Sequence, residues 1–138
     1  MARKDKYHNI VKDSLISEGW KVTDDPYYLD ISSTTLEVDL GAERLIAANK
    51  ENEKIVVEIK SFIGLSRIGD FYKALGQFNF YYMALEEEEP DRILYLAIPE
   101  QAYSDLLKEP LTSKTIQRFN LKLIIYNIQQ QKIVKWIK

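Results

Sequence analysis

The chain has 138 residues, 46% of them hydrophobic and 29% charged, with a formal net charge of −2 and no cysteine. That is enough apolar material for one ordinary core and too little net charge for a disordered chain, and the missing cysteines exclude disulfides, thiolate metal sites and a cysteine nucleophile. The balance also excludes a protein that grips nucleic acid by overall charge, so contact with DNA requires a local basic patch, a bridging metal or a partner.

Residues 5–18 carry Tyr7, Ile10, Val11 and Leu15 at spacings of three and four, which predicts an amphipathic helix ended by Gly19. Trp20-Lys21-Val22-Thr23 is a short strand stopped at Asp24-Asp25-Pro26. Leu36 to Ala48 and Lys54 to Phe62 read as the arms of an antiparallel hairpin around a turn at 49–52, the second arm being a central strand by its β-branched content. Ile63 to Gly69 is a loop. Asp70 is placed to cap a helix whose core stripe is Phe71, Leu75, Phe78, Tyr82 and Leu85, closed by Pro90. A buried-type strand follows at 92–98, then helices at 100–108 and 113–119 separated by Pro110. A terminal hairpin spans 121–128 and 132–137. The order α-β-β-β-α-β-α-α-β-β predicts an α/β (α+β) domain over 1–138, with helices around one mixed sheet.

No apolar run approaches the roughly 20 residues that span a bilayer, and Met1 to Lys6 leads into mixed charge without a signal core. The expectation is a soluble cytoplasmic protein.

Glu58 and Lys60 are two apart on the predicted central strand and share one face, while Val57 and Ile59 take the other. Such a pair is costly to bury unless it binds something. Asp39 opens the preceding arm, and a bend at Gly41 would bring it to Glu58. Simple hairpin counting instead sets Glu43 opposite Glu58, so Glu43 is a rival ligand. Converging carboxylates suit a hard divalent ion such as Mg²⁺ or Mn²⁺, held by Asp39, Glu58 and the Ile59 carbonyl with water. The ion would activate water and neutralise a phosphodiester oxygen, with Lys60 orienting the attack or stabilising the developing charge. The pattern alone equally fits an exposed edge strand with an ordinary ion pair.

Gln77 and Tyr81 share a helix face; they either face the site or edge the buried stripe. Glu86 to Glu89 read as a solvated helix end. Lys114, Arg118, Lys122, Lys132 and Lys135 form a basic bias that could line a DNA path, or scattered solubilising charge. His8, the single histidine, fits a solvated or capping role better than a site role.

At these residues the chain resembles the PD-(D/E)XK nuclease superfamily. Val38-Asp39 stands at the first strand carboxylate, without the common proline, Glu58-Ile59-Lys60 matches (D/E)-x-K, and Gln77-Phe78-Asn79-Phe80-Tyr81 matches the Q-x-x-x-Y helix. The runs from Val38 to Ala48, Val57 to Phe62 and Ala74 to Phe78 are similar to the XisH family, the cyanobacterial excision controlling factors of the fdxN element. The resemblance implies a restriction-endonuclease-like core and a role in programmed DNA excision during heterocyst development. It further implies a site-specific recombinase system and a small XisI-like companion as partners, with homo-oligomers possible. It leaves two activities open, Mg²⁺-dependent endonuclease or non-catalytic accessory factor. Superfamily members often carry an acidic residue in the first helix; here Glu18 is the first choice, with His8 and Asp13 on the same helix.

Overall fold

The computed structural model describes residues 6–46 and 51–138. In chain order it has α1 (His8–Ser17), β1 (Lys21–Asp24), β2 (Tyr27–Ile31), β3 (Thr34–Val38), β4 (Leu40–Ile46), β5 (Glu51–Ile59) and α2 (Arg67–Glu88). β6 (Arg92–Pro99), α3 (Glu100–Lys108), α4 (Pro110–Arg118), β7 (Leu123–Asn127) and β8 (Lys132–Ile137) follow. Six strands form one sheet in the order β1-β4-β5-β6-β7-β8, and β2 pairs with β3 in a separate ribbon. β5, β6 and β7 are parallel, while β1, β4 and β8 run antiparallel to their neighbours. The expected architecture is present: a central mixed sheet, flanking helices and a C-terminal β-hairpin. Among the described residues, no helix is long and apolar enough to cross a membrane.

Side-chain alternation divides the core between the two faces of the sheet. Val56, Leu94, Leu96, Leu123 and Ile125 pack beneath α2, α3 and α4, against Phe71, Phe78, Leu106 and Ile116. Ile55, Val57, Ile59, Tyr95 and Ile124 pack on the other face against Val11 and Leu15 of α1 and against Trp20. The parallel strands are covered on both faces, which is why they read as continuous apolar runs.

Several local expectations are corrected. β2 was not among the predicted elements. The hairpin register pairs Leu40 with Val57 and Glu43 with Lys54, so one further step sets Asp39 across from Glu58. Glu51 and Asn52, read as part of the turn, already belong to β5, and positions 49 and 50 lie outside the described residues. The chain bends at Asp39, between β3 and β4, rather than at Gly41. Ser66, not Asp70, caps α2 by accepting from the Gly69 amide at 3.0 Å; Asp70 accepts from the Gly64 amide at 3.0 Å. Pro110 opens α4 instead of separating two helices, a position where its missing N–H is no loss. Tyr82 is 49% exposed, and Tyr81 packs against the core in its place.

Candidate functional site

Glu58 shares the α2 face of β5 with Val56, one alternation away, and the hairpin register carries Asp39 to the same end of the strand. Asp39 is fixed there by the Ile59 amide, which donates to its Oδ2 at 2.7 Å. Lys60 follows β5 directly, with its Nζ 3.3 Å from Glu58 Oε2. Its backbone is held from two strands: its amide donates to the Ala97 carbonyl at 2.9 Å, and its carbonyl accepts from the Tyr126 hydroxyl at 3.0 Å. Those bonds aim the lysine side chain, which keeps 28% of its surface exposed, over a Glu58 side chain that keeps 9%.

Burial is the largest force on Glu58 and pushes its carboxyl up from 4.5 to about 8; the Asp39 charge adds to the rise and Lys60 partly offsets it. At neutral pH the two carboxylates therefore hold a proton between them, because both cannot ionise at close range without more positive charge. Tyr81 belongs to the same environment. Its hydroxyl is raised to about 12, first by burial and then by Glu58, Asp39 and Glu37.

Two carboxylates of this kind would suit a hard cation in place of that proton. The donors are two converging carboxylates, all oxygen, with a lysine that falls short of neutralising both. Among the described residues no three His, Cys, Asp or Glu side chains group tightly enough to hold a metal. An ion here would rely on Asp39 and Glu58 plus water and substrate oxygens, which is how Mg²⁺ is commonly bound.

Most of the other sequence-predicted residues are placed elsewhere. Gln77 is exposed on α2. Ile59 enters the site through the amide that Asp39 holds. Glu43 faces Lys54 at 3.8 Å and Arg92 at 4.0 Å, not Glu58. Glu18 accepts from Trp136 Nε1 at 3.0 Å, at the end of the helix that packs on the opposite face of the sheet. His8 is buried, not solvated, with Nε2 2.8 Å from Asp25 Oδ1, and Lys12 bonds the other oxygen of Asp25 at 2.7 Å. Lys114 and Arg118 lie on α4, and Lys122 precedes β7. Lys132 and Lys135 lie on β8, three strands from β5, or roughly 14 Å. Lys132 and Lys135 therefore stand apart from the carboxylates.

Three contributors were not foreseen. Glu37 is half-buried beside Tyr81; its signal was available, since Glu37 and Asp39 are two apart. Lys73 shares a hollow of about 170 Å³ with Lys60, and Tyr126 reaches in from the C-terminal hairpin with no sequence signal at all.

Fold and site together define a class: a mixed-sheet α/β protein with a buried glutamate beside a half-buried aspartate and a lysine at the C-terminal end of a central strand. The chain belongs to the XisH family, whose model, described as XisH protein, matches residues 1–134. An XisH family protein from Nostoc punctiforme PCC 73102 is 37% identical, with a TM-score of 0.87 over 97% of this chain and 100% of that one. An fdxN element excision controlling factor protein from Anabaena variabilis is also 37% identical, with a TM-score of 0.87 over 98% of this chain and 100% of that one. No curated protein matches the chain.

Proposed function

We propose that this chain is a cytoplasmic DNA excision factor with a PD-(D/E)XK-type site for Mg²⁺-dependent phosphodiester hydrolysis. It would serve programmed excision of the fdxN element in heterocyst development, beside a site-specific recombinase and an XisI-like companion. The observation that carries the reading is the buried Glu58, set across from Asp39 and 3.3 Å from Lys60.

Asp39 and Glu58 would hold Mg²⁺ or Mn²⁺, and the bound ion supplies an acidified water and charge neutralisation at the phosphodiester. Asp39 keeps its orientation through the Ile59 amide. Lys60, partly in solvent, would orient the attacking water or meet the charge that develops on the phosphoryl oxygens. Tyr81, half-buried on α2 within electrostatic reach of the pair, would close that side of it.

The distribution of the basic residues favours a second reading. Lys132 and Lys135 stand three strands from β5, which suits a non-catalytic accessory factor that uses the nuclease fold to bind a partner protein or DNA. One experiment separates the two. The purified protein, alone and with its companion, is incubated with supercoiled and branched DNA in Mg²⁺ or Mn²⁺. Cleavage that is lost in Glu58→Ala and Lys60→Ala supports the enzyme. Absence of cleavage under every condition, with DNA or partner binding retained, establishes the accessory role.

A further inference from the structure

The C-terminal half of α2, the start of β6 and the α4–β7 connection enclose a cleft of about 430 Å³, within the roughly 300–1,000 Å³ typical of small-molecule sites. It lies toward the opposite end of the parallel strands from Glu58, on the same face of the sheet. Its floor is the buried surface of Phe78, Leu85 and Leu94. Tyr82 and Phe119 form its lips, 49% and 58% exposed, and neither ring stacks on another aromatic ring among the described residues. The side chains of Asn79, Glu86, Asn120 and Lys122 also line it, and among the described residues none of the four has a side-chain hydrogen bond or ion pair. Asn120 takes a φ of 49°, a left-handed conformation that asparagine tolerates, and so turns the chain at the rim.

Two free aromatic faces suit a flat ring, and the apolar floor supports its underside. Two amides present donors and acceptors to the edge of such a ring, and a carboxylate can only accept, so Glu86 favours an exocyclic amino group. Arg92 also lines the cleft but is paired with Glu89 and Glu43, whereas Lys122 has no ion pair among the described residues and suits an anionic tail. A purely aliphatic ligand would make no use of these four polar groups. We propose that this cleft binds a nucleotide, with the base against Tyr82 and Phe119, its amino edge toward Glu86 and the asparagines, and its phosphate on Lys122. The ligand is either a free nucleotide or an unpaired nucleotide within a DNA strand. The proposal is independent of the carboxylate site.

The test is calorimetric titration of the full chain with dAMP, dCMP, TMP and deoxyadenosine in a chelator, so that no metal at Asp39 and Glu58 contributes. Saturable binding of dAMP and dCMP is expected, with TMP about tenfold weaker. Phe119→Ala, at an exposed ring, is expected to weaken dAMP by about tenfold. Lys122→Gln should weaken dAMP while leaving deoxyadenosine unchanged. A short oligodeoxyadenylate identifies the source: binding much tighter than dAMP assigns a strand, and equal binding assigns the free nucleotide. The proposal is overturned if none of the nucleotides binds saturably at millimolar concentration, or if binding ignores both Phe119→Ala and Lys122→Gln.

Discussion

At neutral pH the folded Glu58 holds a proton that the same residue in the unfolded chain has lost. Its carboxyl is raised from 4.5 to about 8, chiefly by burial and next by Asp39. Between those values the folded state binds more protons than the unfolded state, so stability must fall as pH rises. The contribution is complete below about 4.5 and gone above about 8. Glu58→Gln removes the ionisation while keeping an amide able to donate to Asp39. Urea midpoints of the wild type are expected to fall between pH 5 and pH 9. Those of Glu58→Gln should fall less, and at pH 9 the variant should be the more stable protein. Parallel curves for the two proteins would show that Glu58 ionises normally in the fold and that the carboxylates do not share a proton. Asp39, Glu58 and Lys60 were legible from spacing because alternation on a strand is a rigid rule. Gln77 and Tyr81 were only half legible. One residue is about 100° of helix, so exchanging Tyr82 for Tyr81 in the buried stripe was enough to misplace the flank on which Gln77 stands.

The elements that deliver these residues depend on two close approaches. Gly41 pairs with Asp24 at the junction of β1 and β4. A Cβ there would lie 2.9 Å from Asp24 Oδ2 and 2.9 Å from a ring carbon of Tyr27. Tyr27 is buried, and the guanidinium of Arg92 lies 4.8 Å from the centre of its ring, so the ring has little room to yield. Gly41→Ala is expected to cost about 1–3 kcal/mol through overpacking, read from the denaturation midpoint. A neutral result would mean that Asp24 and Tyr27 move aside freely. The glycine was noticed in the sequence for the wrong reason: it permits contact, while the bend belongs to Asp39. The long helix, the apolar parallel strands and the terminal hairpin were legible because period and burial agree in them. β2 was not, since Asp25-Pro26 reads as a stop just before it, the exposed Tyr28 obscures its alternation and its partner lies outside the main sheet. The hairpin register failed because a polar run, 49–52, looked like the turn. Charged and amide side chains such as those of Asn52 and Glu53 are equally at home on a strand near its exposed end.

On the scale of the whole molecule, the sheet separates α1 from the candidate site. His8 and Glu18 are spent on Asp25 and Trp136, so the site must work with the residues at the mouth of β5. That arrangement couples any bound cation to global stability and to pH at once. A ligand that binds only the folded state stabilises it in proportion to the logarithm of its concentration over its dissociation constant. A cation at Asp39 and Glu58 would also displace the proton they hold, so its binding strengthens as pH rises toward and past the Glu58 value of about 8. Adding Mg²⁺ to the wild type is therefore expected to raise the melting temperature little at pH 6 and clearly at pH 8.5. It should also flatten the fall in stability across that interval. Glu58→Gln should lose most of this response, whereas substitution of the exposed Glu86, Glu87 and Glu88 at the end of α2 should not alter it. Equal Mg²⁺ shifts in wild type and Glu58→Gln at pH 8.5 would place the ion elsewhere on the surface. The carboxylate pair would then be a buried proton-sharing pair rather than a metal site, and the accessory reading of the protein would be the one left standing.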